Sequence, residues 1–420
     1  MADIPIERSV AIGKARGNIE ASLREYGLSW TMETKGRDVV AARCVLYNGE
    51  GSPLDSGYGK GEADAAIAGA LFEAAEHWFS RFSNCNKGNI VHRQSWQFLE
   101  QEEFAADLPA SLIRETQNAM MAFRKYKRVR GCEERIYPVA FSSPGYVDDL
   151  SLDPAMHPPD AVDYARIGDY CSNSGTAIGS VETDATIHGV LEAIERDTLS
   201  RFLVTAFLER DKKALRVVNP DSLPDDLREL HWRVETEVNH RILVLELENR
   251  YGVPVFCAAL QKSPFLLELV GYGCSLSREH AVKRSLYELT QCYHLTTGFH
   301  PREFEVKMRR ILSNLKDQPF HLRCAKLKLT EWCERIGSID VPWSETACLH
   351  VPEGPDAYLG GLIEVVEANG GRVYSSVVNE LKGSAVITHS FLEGQDHFFC
   401  VTNGAFVLPT LASRYISTIA

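Results

Sequence analysis

The sequence predicts an α+β protein of mixed sheets and helices, and three observations carry that reading. Short runs of strand character mix with longer helical runs along all 420 residues, without a regular βαβ rhythm. No low-complexity stretch or long linker interrupts them, which argues for one integrated domain over residues 1–420. Apolar residues at 45% and charged residues at 24% suffice for a sizeable core beneath a solvated surface.

Taken in order, Asp38–Tyr47 reads as a strand, apolar at Val39–Ala42 and Val45–Leu46 and closed by the turn signal Asn48-Gly49. Ala63–Phe82 reads as a helix of small and apolar residues. Pro109–Lys127 is expected to be a second, more polar and peripheral helix. The basic run Arg124, Lys125, Lys127, Arg128 and Arg130 would then be a solvated helix end or a dock for an anionic partner. Arg135–Phe141 has strand character, and Val147–Ile167, rich in Pro and Asp, reads as an irregular surface loop. Thr183–Leu208 is a long helix. Ile242–Glu248 and Val253–Gln261 flank Asn249–Gly252 as a hairpin, and a third strand, Leu267–Leu276, feeds a helix over Arg278–Leu295. Helices near Glu303–Arg335 and Ala357–Ala368 and strands Arg372–Val378 and Ala385–Phe391 complete the chain.

Composition also excludes. A formal net charge of -12 argues against general affinity for nucleic acid phosphates. No stretch approaches the ~20 apolar residues of a membrane helix, and Met1–Lys14 lacks the apolar segment of a signal peptide. The 11 cysteines stand singly from Cys44 to Cys400 without a CxxC pair, against a structural zinc site or a disulfide framework. A reduced, cytoplasmic chain is the expectation.

The chemistry concentrates in three helices. In Ala66–Phe79 nearly every face is apolar, yet Glu73 and Glu76 sit one turn apart on the same side. A buried carboxylate without compensation costs several kcal/mol or more, so it calls for a cation, a basic partner or a bound metal. Asp184–Asp197 repeats the arrangement with Glu192 and Glu195, and Glu-Ala-Ala-Glu against Glu-Ala-Ile-Glu suggests related halves. The third helix stacks Arg284, Glu288 and Gln291 on one face. A single Glu pair at this spacing usually lies on a solvated surface; three such helices, each apolar around its acids, argue for convergence. Five carboxylates together suit magnesium, which takes oxygen ligands and binds nucleotide phosphates alongside. Arg196 and Arg284 would balance charge on a transferring phosphate. No Walker A sequence and no kinase HRD or DFG set is present.

On these residues the sequence resembles the YcaO family. Gly59-Lys60-Gly61 is similar to the GKG that precedes the family's first acidic helix. SxxxExxER appears as Gly69, Glu73, Glu76 and His77. The second acidic motif runs from Asn173 through Gly175, Gly179, Asp184 and Gly189 to Glu192, Glu195 and Arg196. RxxxExxQ is complete as Arg284, Glu288 and Gln291, and Lys14 and Ser22 resemble an N-terminal lysine and serine at a spacing one residue longer. The matched motifs span residues 13–295, with 346–420 completing the fold. The departures are Gly69 for serine, His77 for arginine, Ala177 and Ser180 for a serine and an asparagine, and Asp184 for a glutamate. The C-terminus, Ser413–Ala420, differs from the proline-rich tail common in azoline-forming members.

The resemblance implies a YcaO-type fold with acidic helices around a magnesium–nucleotide site, and ATP and Mg2+ as cofactors. It places the metal on Glu73, Glu76, Glu192, Glu195 and Glu288. It places the nucleotide on Lys14, Ser22, Ser180, Asp184, Arg196, Arg284 and Gln291, with Arg196 and Arg284 also catalytic. His188 is the candidate base, with an ordinary helix histidine as the competing reading; His77 and His294 stand likewise. The implied reaction is ATP-dependent O-phosphorylation of a peptide backbone amide in a ribosomally made peptide, giving an azoline or a thioamide. The alternatives are an ATP-dependent modifier of a cellular protein or small amide, and a non-catalytic nucleotide-binding scaffold subunit. Expected partners are the peptide substrate and a separate substrate-delivering protein of the E1-like or TfuA-like kind, with homo-oligomerisation open.

Overall fold

A computed structural model describes residues 5–101, 108–116, 119–147, 160, 162–165, 167–209 and 213–410. Most of the expected loop 147–167 and the whole of Ser413–Ala420 lie outside the described residues.

Helix α1 (Ile12–Glu25) precedes an antiparallel three-stranded sheet of β1 (Ser29–Lys35), β2 (Val40–Tyr47) and β3 (Pro53–Gly61). The expected turn after β2 is made by Asn48, whose Oδ1 accepts from the Glu50 and Ser52 N–H groups at 3.1 and 2.8 Å. Helix α2 (Ala63–Ser80) then folds back onto β3. The inward residues of β3 are Gly57, Gly59 and Gly61. A Cβ on Gly59 would stand 1.8 Å from the Ala66 carbonyl oxygen, so backbone meets backbone along this seam.

A six-stranded sheet follows the order β4 (Ile90–Gln94), β5 (Met120–Arg128), β13 (Val373–Leu381), β14 (Ala385–Leu392), β7 (Thr176–Gly179), with β6 (Glu134–Pro138) also paired to β5. Here the expected helix over Pro109–Lys127 is corrected: a short helical turn at Leu108–Ile113 gives way to strand β5. Arg124 and Tyr126 face inward while Lys125 and Lys127 face solvent, a period of two that a helix cannot make. The basic run is therefore neither a helix end nor one continuous basic face. Arg124 is buried, and Arg128 and Arg130 pair with Glu367 at 2.7 and 3.9 Å.

Helix α3 (Glu182–Leu203) packs on β7 and β14 and ends in a π-helical turn, Val204–Leu208. A five-stranded sheet runs β11 (Val270–Cys274), β10 (Val255–Leu260), β9 (Ile242–Glu246), β8 (Leu215–Val218), β12 (Ser338–Val341); its β8–β12 pair is parallel and the others antiparallel. Helix α4 (Asp225–Val238) lies against α5 (Arg278–His294), which itself packs on β11 and β10. Its seam repeats that of β3: Cβ atoms on Gly271 and Gly273 would meet Ser285 O and Ala281 O at 2.1 and 2.0 Å. Helices α6 (Pro301–Asn314), α7 (Pro319–Lys326), α8 (Leu329–Ile336) and α9 (Pro355–Ala368) add to the outer layer. The main apolar core joins residues from Ile19 to Val407.

Candidate active site

Counting from the first helical residues Ala63, Glu182 and Arg278, ten steps reach Glu73, Glu192 and Glu288. Thirteen steps reach Glu76, Glu195 and Gln291, and six reach Gly69, His188 and Arg284. Steps of three and four keep a helix face, so α2, α3 and α5 present the same face three times over. All nine of these residues line one cavity of about 560 Å³. The sequence shows all three segments, and the register adds that the third, with glutamine in place of the second acid, repeats the other two from its helix start.

Backbone amides from the strand side hold the acids. Tyr58 N–H donates to Glu73 Oε2 at 2.9 Å and Ile178 N–H to Glu76 Oε2 at 2.9 Å. Glu192 accepts from the Gly175 N–H, and Glu288 pairs with the Lys60 ammonium. Arg196 lies 3.7 Å from both Glu192 and Glu195. Burial raises the carboxyl pKa of Glu73, Glu76 and Glu192, and for Glu76 the charges on Glu192 and Glu73 add to it. Burial likewise pushes Glu195 up to about 7, against the pull of Arg196. At Glu288 burial is outweighed by Lys60 and Arg196, and its pKa falls below the ordinary value. The site is thus short of positive charge at four of its five acids, which a divalent cation would supply. Among the described residues no three His, Cys, Asp or Glu side chains cluster tightly enough to hold a metal alone.

The structure adds an N-terminal strap that sequence reasoning missed. Glu7 is buried, accepts from the Ser275 and Tyr358 hydroxyls at 2.7 and 2.9 Å, and faces Arg284 at 3.4 Å. Burial opposes its charge, but His280 and Arg284 hold its carboxyl below the ordinary pKa. Arg8 enters the cavity, with Nη2 3.3 Å from His188 Nδ1; Arg284 Nη2 reaches His188 Nε2 at 3.4 Å. No periodic signal marks this segment, and its partners lie far along the chain.

The structure places three expected site residues outside the cavity lining. Lys14 is exposed and does not line the cavity, because Ala15, Ile19, Ser22 and Leu23 form the buried stripe of α1 and Lys14 stands one residue off it. Ser22 lies within that stripe, away from the cavity, with Oγ unpartnered among the described residues. Asp184, fully buried, spends its carboxylate on the Ser9 N–H and hydroxyl. Ser180, Arg196, Arg284 and Gln291 do line the cavity. His188 lines it too, but as a base it is poorly placed. Burial and then Arg284 and Arg8 depress its pKa well below the ordinary value, and both ring nitrogens face guanidinium groups. His77 is on the rim, its Nδ1 2.8 Å from Ser56 O and its Nε2 3.8 Å from Glu73. His294 pairs with Glu237 at 3.2 Å and is not part of the lining.

Three acidic helices thus close on one cavity that also holds Arg8, Arg196 and Arg284. A family profile described as YcaO cyclodehydratase, ATP- and Mg2+-binding, matches residues 56–374. The chain belongs to the YcaO family, and ATP and Mg2+ are its cofactors. No curated protein matches it by sequence. Solved structures agree in fold. YcaO from Methanopyrus kandleri bound with AMPPCP and Mg2+ is 17% identical at a TM-score of 0.64, covering 97% of this chain and 99% of that one. A heterocyclase in complex with substrate and cofactor is 14% identical at 0.60, covering 91% and 53%. The E. coli microcin synthetase McbBCD complex with pro-MccB17 bound is 14% identical at 0.55, covering 87% and 86%. Among the described residues no helix is long and apolar enough to cross a membrane.

Proposed function

We propose that the protein phosphorylates the oxygen of a peptide backbone amide and so drives azoline formation in a ribosomally made peptide. One observation carries this: five carboxylates and the guanidinium groups of Arg8, Arg196 and Arg284 share one cavity. A Cys, Ser or Thr side chain of the substrate adds to the preceding carbonyl carbon. The resulting oxyanion attacks the γ-phosphorus and ADP leaves; the C–O bond then breaks with departure of phosphate while the amide nitrogen gives up its proton, and the C=N bond forms. External sulfide as the nucleophile gives a thioamide by the same activation. Magnesium, when bound, neutralises phosphate oxygens, and Glu73, Glu76, Glu192, Glu195 and Glu288 are the residues that would hold it. Arg196 and Arg284 stabilise charge on the transferring group. His188 lies between Arg8 and Arg284, and its neutral ring accepts from one of the two guanidinium groups. Lys60 offsets Glu288.

The heterocyclase with bound substrate and the microcin synthetase complex with its precursor bound support a peptide substrate and work alongside partner proteins. The scaffold reading predicts no turnover, so phosphate release from ATP decides against it or for it. Release that requires magnesium and rises with a Cys- and Ser-rich peptide is the expected result. Turnover indifferent to magnesium would overturn the assignment.

A further inference from the structure

Among the described residues Arg196 has no directional partner on its acidic side. Glu192 and Glu195 both stand at 3.7 Å, beyond hydrogen-bond length. Beside these ion pairs two rings flank the guanidinium: its central carbon lies 5.9 Å from the Tyr272 centroid and 5.9 Å from that of Phe399, at the outer edge of cation–π range. Planar guanidinium groups stack on aromatic faces, which restrain their plane as well as their position. Neither ring lines the cavity, and both are buried.

Phe399 is itself fixed from behind. Its N–H donates to Ser200 Oγ at 2.9 Å, Ser200 Oγ donates to the Asp396 carbonyl at 2.9 Å, and Asp396 N–H donates to Asp197 Oδ1 at 2.9 Å. The turn Phe398–Asn403 is thereby clipped to α3 one helical turn beyond Arg196. It lies past residue 374, where the family match ends.

We propose that Phe399, together with Tyr272, is a positioning residue that sets the plane of the Arg196 guanidinium for phosphoryl transfer. The C-terminal turn then belongs to the catalytic machinery without touching substrate. This rests on the reading that Arg196 stabilises the transferring phosphate.

Steady-state phosphate release from magnesium–ATP tests it, with thermal unfolding to establish the fold of each variant. Phe399→Met keeps volume and removes the π face. It is expected to lower kcat by roughly three- to thirtyfold, with a smaller change in KM for ATP, and Phe399→Tyr to restore it. In an Arg196→Lys background, already slow, Phe399→Met should cost nothing further. Should Phe399→Met not fold, Tyr272→Met carries the same comparison. Unchanged kcat, an equal loss in both backgrounds, or no rescue by tyrosine overturns the inference. Full turnover by Arg196→Lys alone would instead overturn the role given to Arg196.

Discussion

The Ser9 hydroxyl donates to Asp184 Oδ1 at 2.6 Å, tying the N-terminal strap to the first turn of α3. Ser9→Ala should loosen the strap at a cost of roughly 1.5–3 kcal/mol, as for a hydrogen bond to a carboxylate, seen as faster amide exchange over residues 5–10 and weaker ATP binding. Asp184→Glu lengthens a fully buried side chain, and overpacking of this kind costs roughly 1–3 kcal/mol. The longer acid is therefore expected to lower the unfolding temperature without tightening ATP in a calorimetric titration. Tighter binding would mean that Asp184 is free to reach the nucleotide.

Glu195→Gln should abolish magnesium-dependent phosphate release and stabilise the metal-free protein. The folded pKa of Glu195, about 7, lies above its ordinary 4.5. Its carboxyl therefore favours the fold while protonated, a contribution complete below 4.5 and lost as pH rises through about 7. Glutamine removes that loss at nearly constant volume. Unfolding followed by denaturant at pH 5 and pH 8 should show the gain at the higher value; normal turnover in the folded variant would defeat the metal assignment.

The opposite slope comes from the six-stranded sheet and the turn beyond it. Burial drives His389 to about 3 and His397 to about 4, from 6.5. The unfolded chain takes up protons that the fold refuses, so stability is full above 6.5 and declines as pH falls from there toward 4. His389 accepts from the Tyr126 hydroxyl at 2.8 Å and donates to Ser174 O at 3.2 Å, both of which a glutamine can imitate. His389→Gln should flatten the acid limb of the stability profile, and an unchanged limb would remove His389 as its source.

Two glycines in one seam should behave oppositely. Gly59→Ala would press Cβ to 1.8 Å from the Ala66 carbonyl oxygen, displacing α2 and with it Glu73 and Glu76. Gly69→Ser meets only Gly59 Cα at 3.4 Å and replaces glycine inside a helix, a change worth about 0.5 kcal/mol in its favour. Thermal unfolding and phosphate release together should fall for the first and hold for the second.

The acids were legible in the sequence because a carboxylate amid apolar helical residues demands a cation or a hydrogen-bonding partner. Glu73, Glu76, Glu192, Glu195 and Glu288 all line the cavity. Strand β3 was not legible, since its inward residues are glycines and it shows no apolar alternation. Strand β5 was misread because the buried residue that sets its period is Arg124, a residue type that usually marks a surface. The strap was invisible for another reason: Asp184 lies 175 residues from Ser9, and Tyr358 lies 351 from Glu7. No local pattern encodes contacts at that range.

The glycine seams under α2 and α5 also bear on how such a chain tolerates change. Where helix and strand touch through main chain alone, their separation is set by bond lengths and atomic radii common to every polypeptide. Exchanging a leucine for a valine elsewhere in the core alters side-chain volume but leaves this separation as it was. The height of α2 and α5 over their strands, and with it the placing of Glu73, Glu76 and Glu288, is accordingly buffered against the ordinary turnover of apolar residues, while a change at these small and chemically silent glycines would shift it directly.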